Sequence, residues 1–182
     1  MASPLTHAVT GLALGTVFWR RGDRARFWIA GAVCAALPDL DAFGVIFGIP
    51  YNASPFGHRG ITHSLFFAAL LAVLVAWRAF DPDTRRRMGL YLFLATASHG
   101  LLDSMTSDGL GVGFFMPFYD ARYFLPWRPI TITPLHVPHV PGAREFMVRS
   151  SELLRIWIPL GIFTAMVGLV RMTLPGRREK RS

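Results

Sequence analysis

The chain has 182 residues, of which 52% are hydrophobic and 16% charged, and its mean hydropathy is +0.38. Soluble domains sit at roughly 45–50% apolar with glycine already counted, so the composition points to a membrane protein of one domain and a few spans. The net charge of +8 raises nucleic acid as a partner, but the basic residues cluster at the ends of apolar segments and not along one amphipathic face; we expect membrane lipids as partners and no nucleic acid.

Five apolar stretches follow in chain order, at about 5–19, 27–48, 63–79, 88–107 and 153–174. Each is helical in composition and too long for a strand. The predicted fold is all-α: a polytopic membrane helical bundle of about five helices. A loop segment at 108–150 faces outward, the domain spans 1–174, and a basic tail covers 175–182. The single cysteine, Cys34, excludes an internal disulfide and a Cys-rich zinc site, and it lies in an apolar run as a small packing residue.

Arginine placement predicts orientation. Arg20, Arg21, Arg24 and Arg26 crowd the first connection, and Arg78, Arg85, Arg86 and Arg87 crowd the third. Arg171, Arg177, Arg178, Lys180 and Arg181 lie at the carboxyl end, so 13 of the 19 basic residues fall on one side. The positive-inside rule assigns that side to the cytoplasm, leaving the N-terminus, the 49–62 loop and the 108–150 segment outside. The first basic cluster follows the first apolar run, so we expect no cleavable signal peptide.

Seven ligand-type residues sit at the same end of these apolar segments, the end away from the arginines. They are His7, Asp39 and Asp41 in Leu37-Pro38-Asp39-Leu40-Asp41, His58 and His63 around Arg59-Gly60-Ile61-Thr62, and His99 with Asp103. His7 lies 13 residues from Arg20, Asp39 13 from Arg26, His63 15 from Arg78, and His99 12 from Arg87. At the rise of a helix each sits about 18–23 Å from the inner boundary, in the outer third of a hydrocarbon core about 30 Å thick. Ionisable groups at that depth are costly, and four segments of alternating direction placing them in one layer predict a site.

The donor set narrows the chemistry. Imidazole and carboxylate without thiolate suit zinc, manganese or ferrous iron, with zinc favoured. Seven candidates exceed one tetrahedral site, so two divalent ions bridged by a carboxylate are expected, with Asp39 or Asp41 as the bridge and the other as general base. Thr62 is placed to cap the helix that follows. Arg59, between the two loop histidines, offers a fork for phosphate or a partner for Asp39 or Asp41. His136, His139 and Glu152 rank lower: two loop histidines and a first-turn carboxylate. The aromatic run from Phe114 to Trp127 fits an interfacial belt or a re-entrant lid.

Leu37-Pro38-Asp39-Leu40-Asp41, Gly57-His58-Arg59-Gly60-Ile61-Thr62-His63-Ser64 and Ser98-His99-Gly100-Leu101-Leu102-Asp103 occur in an order that resembles the YdjM family. Phe115-Met116-Pro117-Phe118-Tyr119 and Arg122-Tyr123-Phe124 are similar to the segment after its last motif, so the likeness covers about residues 7–130. Members are bacterial and archaeal inner-membrane proteins described as metal-dependent hydrolases, and some carry Asp-His-Pro where this chain has Asp41-Ala42-Phe43. The motif order is more loosely similar to zinc-dependent phospholipases C and P1-type nucleases, whose further His-x-x-x-Asp is missing here. The resemblance implies a membrane metallohydrolase. With an outer-leaflet site it leads us to expect a lipid or lipid-linked phosphoester as substrate; a metal or proton transporter and a structural metal protein are the alternatives.

Overall fold

Ser3 starts the first helix: its hydroxyl accepts the Thr6 amide, and Pro4 takes the first helical position, where no N–H is needed. This helix, α1, runs Pro4–Phe18. The structure, a computed structural model, describes residues 2–51, 55–107, 109–131 and 150–173. Four more helices follow: α2 (Ala25–Ala36), α3 (Leu65–Ala79), α4 (Pro82–Ser104) and α5 (Ile158–Thr173), the last entered through a π-turn at Leu153–Trp157. Among the described residues there is no strand, only isolated bridges pairing Thr106 with Ile130 and Val112 with Tyr123. The fold is the expected all-α bundle.

One boundary differs from the sequence reading. The second apolar stretch is not a single α-helix over 27–48, because α2 gives way at Leu37 to a 3₁₀-helix, Leu37–Phe47. Pro38 lacks an N–H and its ring obstructs the carbonyl four residues back, so the α ladder cannot continue through it. An eleven-residue 3₁₀ run is long, since such helices are usually short pieces. It carries Asp39 and Asp41 in a tight winding at the end of α2. Thr62 likewise differs: Ser64, not Thr62, caps α3, its hydroxyl accepting the Phe67 amide.

Packing is inverted relative to a water-soluble bundle. α4 is central and touches α1, α2 and α3, while α5 lies along α1. α3 turns Ala68, Ala72 and Ala76 inward and leaves Leu70, Val73, Leu74 and Trp77 outside. α5 buries none of its residues and exposes Ile162, Met166, Leu169 and Val170. Small residues at helix contacts and large apolar ones outside are what hydrocarbon surroundings favour. The stretches Ala25–Gly44 and Ser150–Thr173 are long and apolar enough to cross a membrane. At the tightest crossing Gly31 faces the Tyr91 ring, whose hydroxyl donates to the Gly11 carbonyl at 3.0 Å.

The arginine-rich connections gather at one end. Arg87 grips Asp23 with bonds of 2.6 and 2.7 Å and donates to the Phe18 carbonyl, Arg26 meets Asp81 at 3.0 Å, and Arg171 donates to the carbonyls of Val17 and Trp19. The Arg87 guanidinium holds the Asp23 carboxyl below the usual carboxylate value. The buried ionisable residues lie at the other end: His7 in the first turns of α1, Asp39 after α2, His63 just before α3, and His99 with Asp103 at the close of α4. The basic tail at 175–182 lies outside the described residues.

Candidate metal centre

Six of the seven predicted ligands converge. His7, Asp39, His99 and Asp103 form one group, and Asp39, His58, His63 and Asp103 form another. Within each group the candidate donor atoms lie within 4.8 Å of one another, and every member is buried. Asp39 and Asp103 belong to both, so the carboxylates placed to bridge are these two. Asp41, expected as a bridge or base, stands outside both groups.

Three of the four imidazoles are aimed by their other nitrogen. His99 Nδ1 lies 2.7 Å from the Ala35 carbonyl, which can only accept, so that nitrogen carries the proton. His58 Nδ1 donates to Asp41 Oδ1 at 2.6 Å, and His63 Nδ1 lies 3.1 Å from Asp41 Oδ2. Thr62, the supposed cap, gives its hydroxyl to that same oxygen at 2.5 Å. His7 is different: it stacks on the His99 ring with centroids 3.6 Å apart, its Nε2 3.6 Å from Asp103 Oδ1.

The inward-facing atoms fit a cation. With both Nδ1 atoms protonated, His63 Nε2 and His99 Nε2 present lone pairs to each other at 3.0 Å. Two acceptors at that separation need a proton or a metal ion between or beside them. Both nitrogens of His7, both oxygens of Asp39, His58 Nε2 and Asp103 Oδ2 are buried without a hydrogen-bond partner. Buried polar atoms are normally satisfied, and buried carboxylates demand a counter-charge. The cluster is therefore a buried His/Asp centre able to hold a metal ion.

Arg59 supplies part of that counter-charge. Its Nε lies 3.2 Å from Asp103 Oδ2 and its Nη2 donates to the Thr106 hydroxyl at 3.0 Å. The sequence pairing with Asp39 or Asp41 is thus replaced by one with Asp103. Arg59 is buried and adopts a left-handed backbone, with φ at 61°. Gly100 allows the His63 turn to reach α4: a Cβ there would stand 2.8 Å from the His63 carbonyl oxygen. Asp103 Oδ1 also accepts the Ala2 amide at 3.1 Å.

The lower-ranked residues separate. Glu152 does not join the centre. Its buried carboxylate accepts the amide and hydroxyl of Ser3 and the hydroxyl of Thr6, each at 2.6 Å, fastening the final helical segment to the start of α1. Trp157 donates to the same Thr6 hydroxyl at 2.9 Å. His136 and His139 fall outside the described residues. Of the aromatic run, Phe115, Phe118, Tyr119 and Trp127 are exposed, together with Phe43, Ile46, Phe47 and Phe56 from the segments around the centre. The sequence reading missed the Ala35 carbonyl, the Thr62 hydroxyl and Thr106. A backbone acceptor leaves no mark in sequence, whereas Thr106 follows Asp103 by nearly one turn.

A helical bundle with apolar outer faces and a buried His/Asp centre at one end defines a class: polytopic membrane proteins built around a candidate metal site. The chain belongs to the YdjM inner membrane protein family, whose profile matches residues 1–175. It is 38% identical over 162 residues to the inner membrane protein YbcI of Escherichia coli, covering 87% of this chain and 92% of that protein. It is also 32% identical over 117 residues to the uncharacterized protein YvsG of Bacillus subtilis, covering 60% of this chain and 71% of that protein. No solved structure matches the chain.

Proposed function

We propose that the protein is a membrane-bound metal-dependent hydrolase that cleaves a phosphoester of a lipid or lipid-linked substrate. The observation that carries this reading is the set of inward-facing ligand atoms without a hydrogen-bond partner: His7 Nε2, His58 Nε2 and both oxygens of Asp39. Two overlapping groups sharing Asp39 and Asp103 suit two divalent ions, with zinc favoured by the donor types. Such ions, when bound, acidify a water for attack and neutralise charge on a phosphoryl oxygen.

The residues divide the remaining work. His7, His58, His63 and His99 each offer a ring nitrogen to the centre, and Asp39 and Asp103 span its two halves. Neither Asp39 oxygen is hydrogen-bonded, so this carboxylate would serve as a ligand shared by both groups and not as the general base. Arg59 keeps a fixed positive charge beside Asp103, where negative charge on a phosphoryl group would develop. The exposed aromatic and aliphatic side chains around this end give an acyl or isoprenoid chain apolar surface to lie against.

Purified protein is expected to carry close to two transition-metal ions per chain, and His99→Ala or Asp39→Ala to lose at least one. Metal-loaded protein, offered phospholipids, isoprenoid phosphates and oligonucleotides, should cleave an amphiphilic phosphoester. Metal-free wild type after careful handling sinks the metal assignment. Preferential cleavage of oligonucleotides sinks the lipid assignment. Zn²⁺ flux into proteoliposomes with no hydrolysis moves the protein to the transporters.

A further inference from the structure

We propose that Asp41 is a positioning residue and not a ligand: a single carboxylate that sets two imidazoles and makes the His58–His63 half of the centre the tighter one. This rests on the metal reading above. In the 3₁₀ winding of Leu37–Phe47, side chains two residues apart point about 120° away from each other. Asp39 therefore enters the centre while Asp41 stands behind it, so one short segment delivers both a ligand and the clamp for two others.

The clamp is complete. Asp41 Oδ1 takes the His58 Nδ1 proton at 2.6 Å and Oδ2 takes the Thr62 hydroxyl at 2.5 Å; His63 Nδ1 lies 3.1 Å from that hydroxyl and 3.1 Å from Oδ2, so Asp41 holds His63 both directly and through Thr62. Both histidines are thereby held in the tautomer that leaves Nε2 as the ligand atom. Loss of such an outer partner costs roughly ten- to hundredfold in metal affinity. The other half is held less firmly. His99 rests on the neutral carbonyl of Ala35 at 2.7 Å, and neither ring nitrogen of His7 has a hydrogen-bond partner.

The test is calorimetric addition of Zn²⁺ to the metal-stripped full-length protein in detergent, with Co²⁺ absorption as a second readout. Wild type should bind in two steps of unequal affinity. Asp41→Asn should weaken the tighter step by roughly ten- to hundredfold and leave the weaker step nearly unchanged. Thr62→Val, which removes one hydroxyl and keeps the carboxylate, should weaken the same step by less and perturb the same Co²⁺ bands. An unchanged tighter step in both variants, or equal weakening of both steps, overturns the proposal. If Asp41→Asn fails to fold, Thr62→Val alone decides between these outcomes. Wild type that binds no Zn²⁺ removes the metal reading itself, a result distinct from two normal steps in the variants.

Discussion

Arg59 combines two costs in one residue: a guanidinium buried against Asp103 and a backbone at φ 61°. A left-handed conformation costs a side-chain-bearing residue roughly 1–2 kcal/mol, and such outliers persist where surrounding contacts over-determine them. Here the Gly113 amide bonds to the Arg59 carbonyl, and the side chain bonds to Thr106. The two costs separate by substitution. Arg59→Ala and Arg59→Gly both remove the guanidinium, so both should lower turnover by about a hundredfold or more. Glycine accepts the backbone without strain, so Arg59→Gly should be the more stable by about 1 kcal/mol, read from unfolding in detergent. Equal stabilities would show that the backbone at 59 is unstrained. Much of the centre was legible at this scale because His7, Asp39, His63, His99 and Asp103 are ionisable residues inside apolar segments, with His58 in the loop just before one. The roles of Asp41 and Arg59 were not, since spacing alone does not reveal which way a residue points from a 3₁₀ winding or a left-handed turn.

At the scale of helices, the centre depends on how closely backbones approach. Gly31 on α2 faces Tyr91 on α4, and a Cβ at Gly31 would overlap the Tyr91 hydroxyl and ring. Tyr91 is fully buried and fixed by its bond to the Gly11 carbonyl, so it has no room to retreat. Forcing a methyl into such a contact costs about 1–3 kcal/mol. Gly31→Ala should therefore lower the melting temperature, and it should lower it by less in a Tyr91→Ala background, where the space has been vacated. A Gly31→Ala protein with wild-type melting would mean that α2 and α4 stand farther apart than the Gly31–Tyr91 contact requires. The apolar stretches predicted all five helices, because hydrophobic runs and helix caps act locally. The switch to 3₁₀ at Leu37 was only half legible: Pro38 announced a break, but whether the chain then turns away or tightens depends on what it packs against. The fastening of the final helical segment to α1 through Glu152, Ser3 and Thr6 was beyond reach, being a contact across about 150 residues.

For the molecule as a whole, charge and chemistry are segregated along the bundle axis. Arg26, Arg87 and Arg171 knit the connections at one end, and the buried histidines and aspartates occupy the other. Among the described residues no buried histidine, carboxylate, lysine or arginine lies between them; the buried hydroxyls of Thr10, Thr96 and Tyr91 bond to backbone carbonyls. That separation suits a centre reached from one face better than a path through the bundle. Arginines next to short connections favour the cytoplasmic side, which we take to place the centre near the outer face with the N-terminus outside and the C-terminus inside. Reporter fusions after Arg24 or Arg86 should then signal cytoplasm, and a fusion at 119–121, in the loop after α4, should signal the outside. Replacing Arg20, Arg21, Arg24 and Arg26 with glutamine should blur the assignment, since those residues supply much of the bias, whereas changing Arg171 alone should not. Opposite signals from both sets of fusions would turn the molecule over. The centre would then face the cytoplasm, and the substrate would have to be sought among phosphoesters of the inner leaflet.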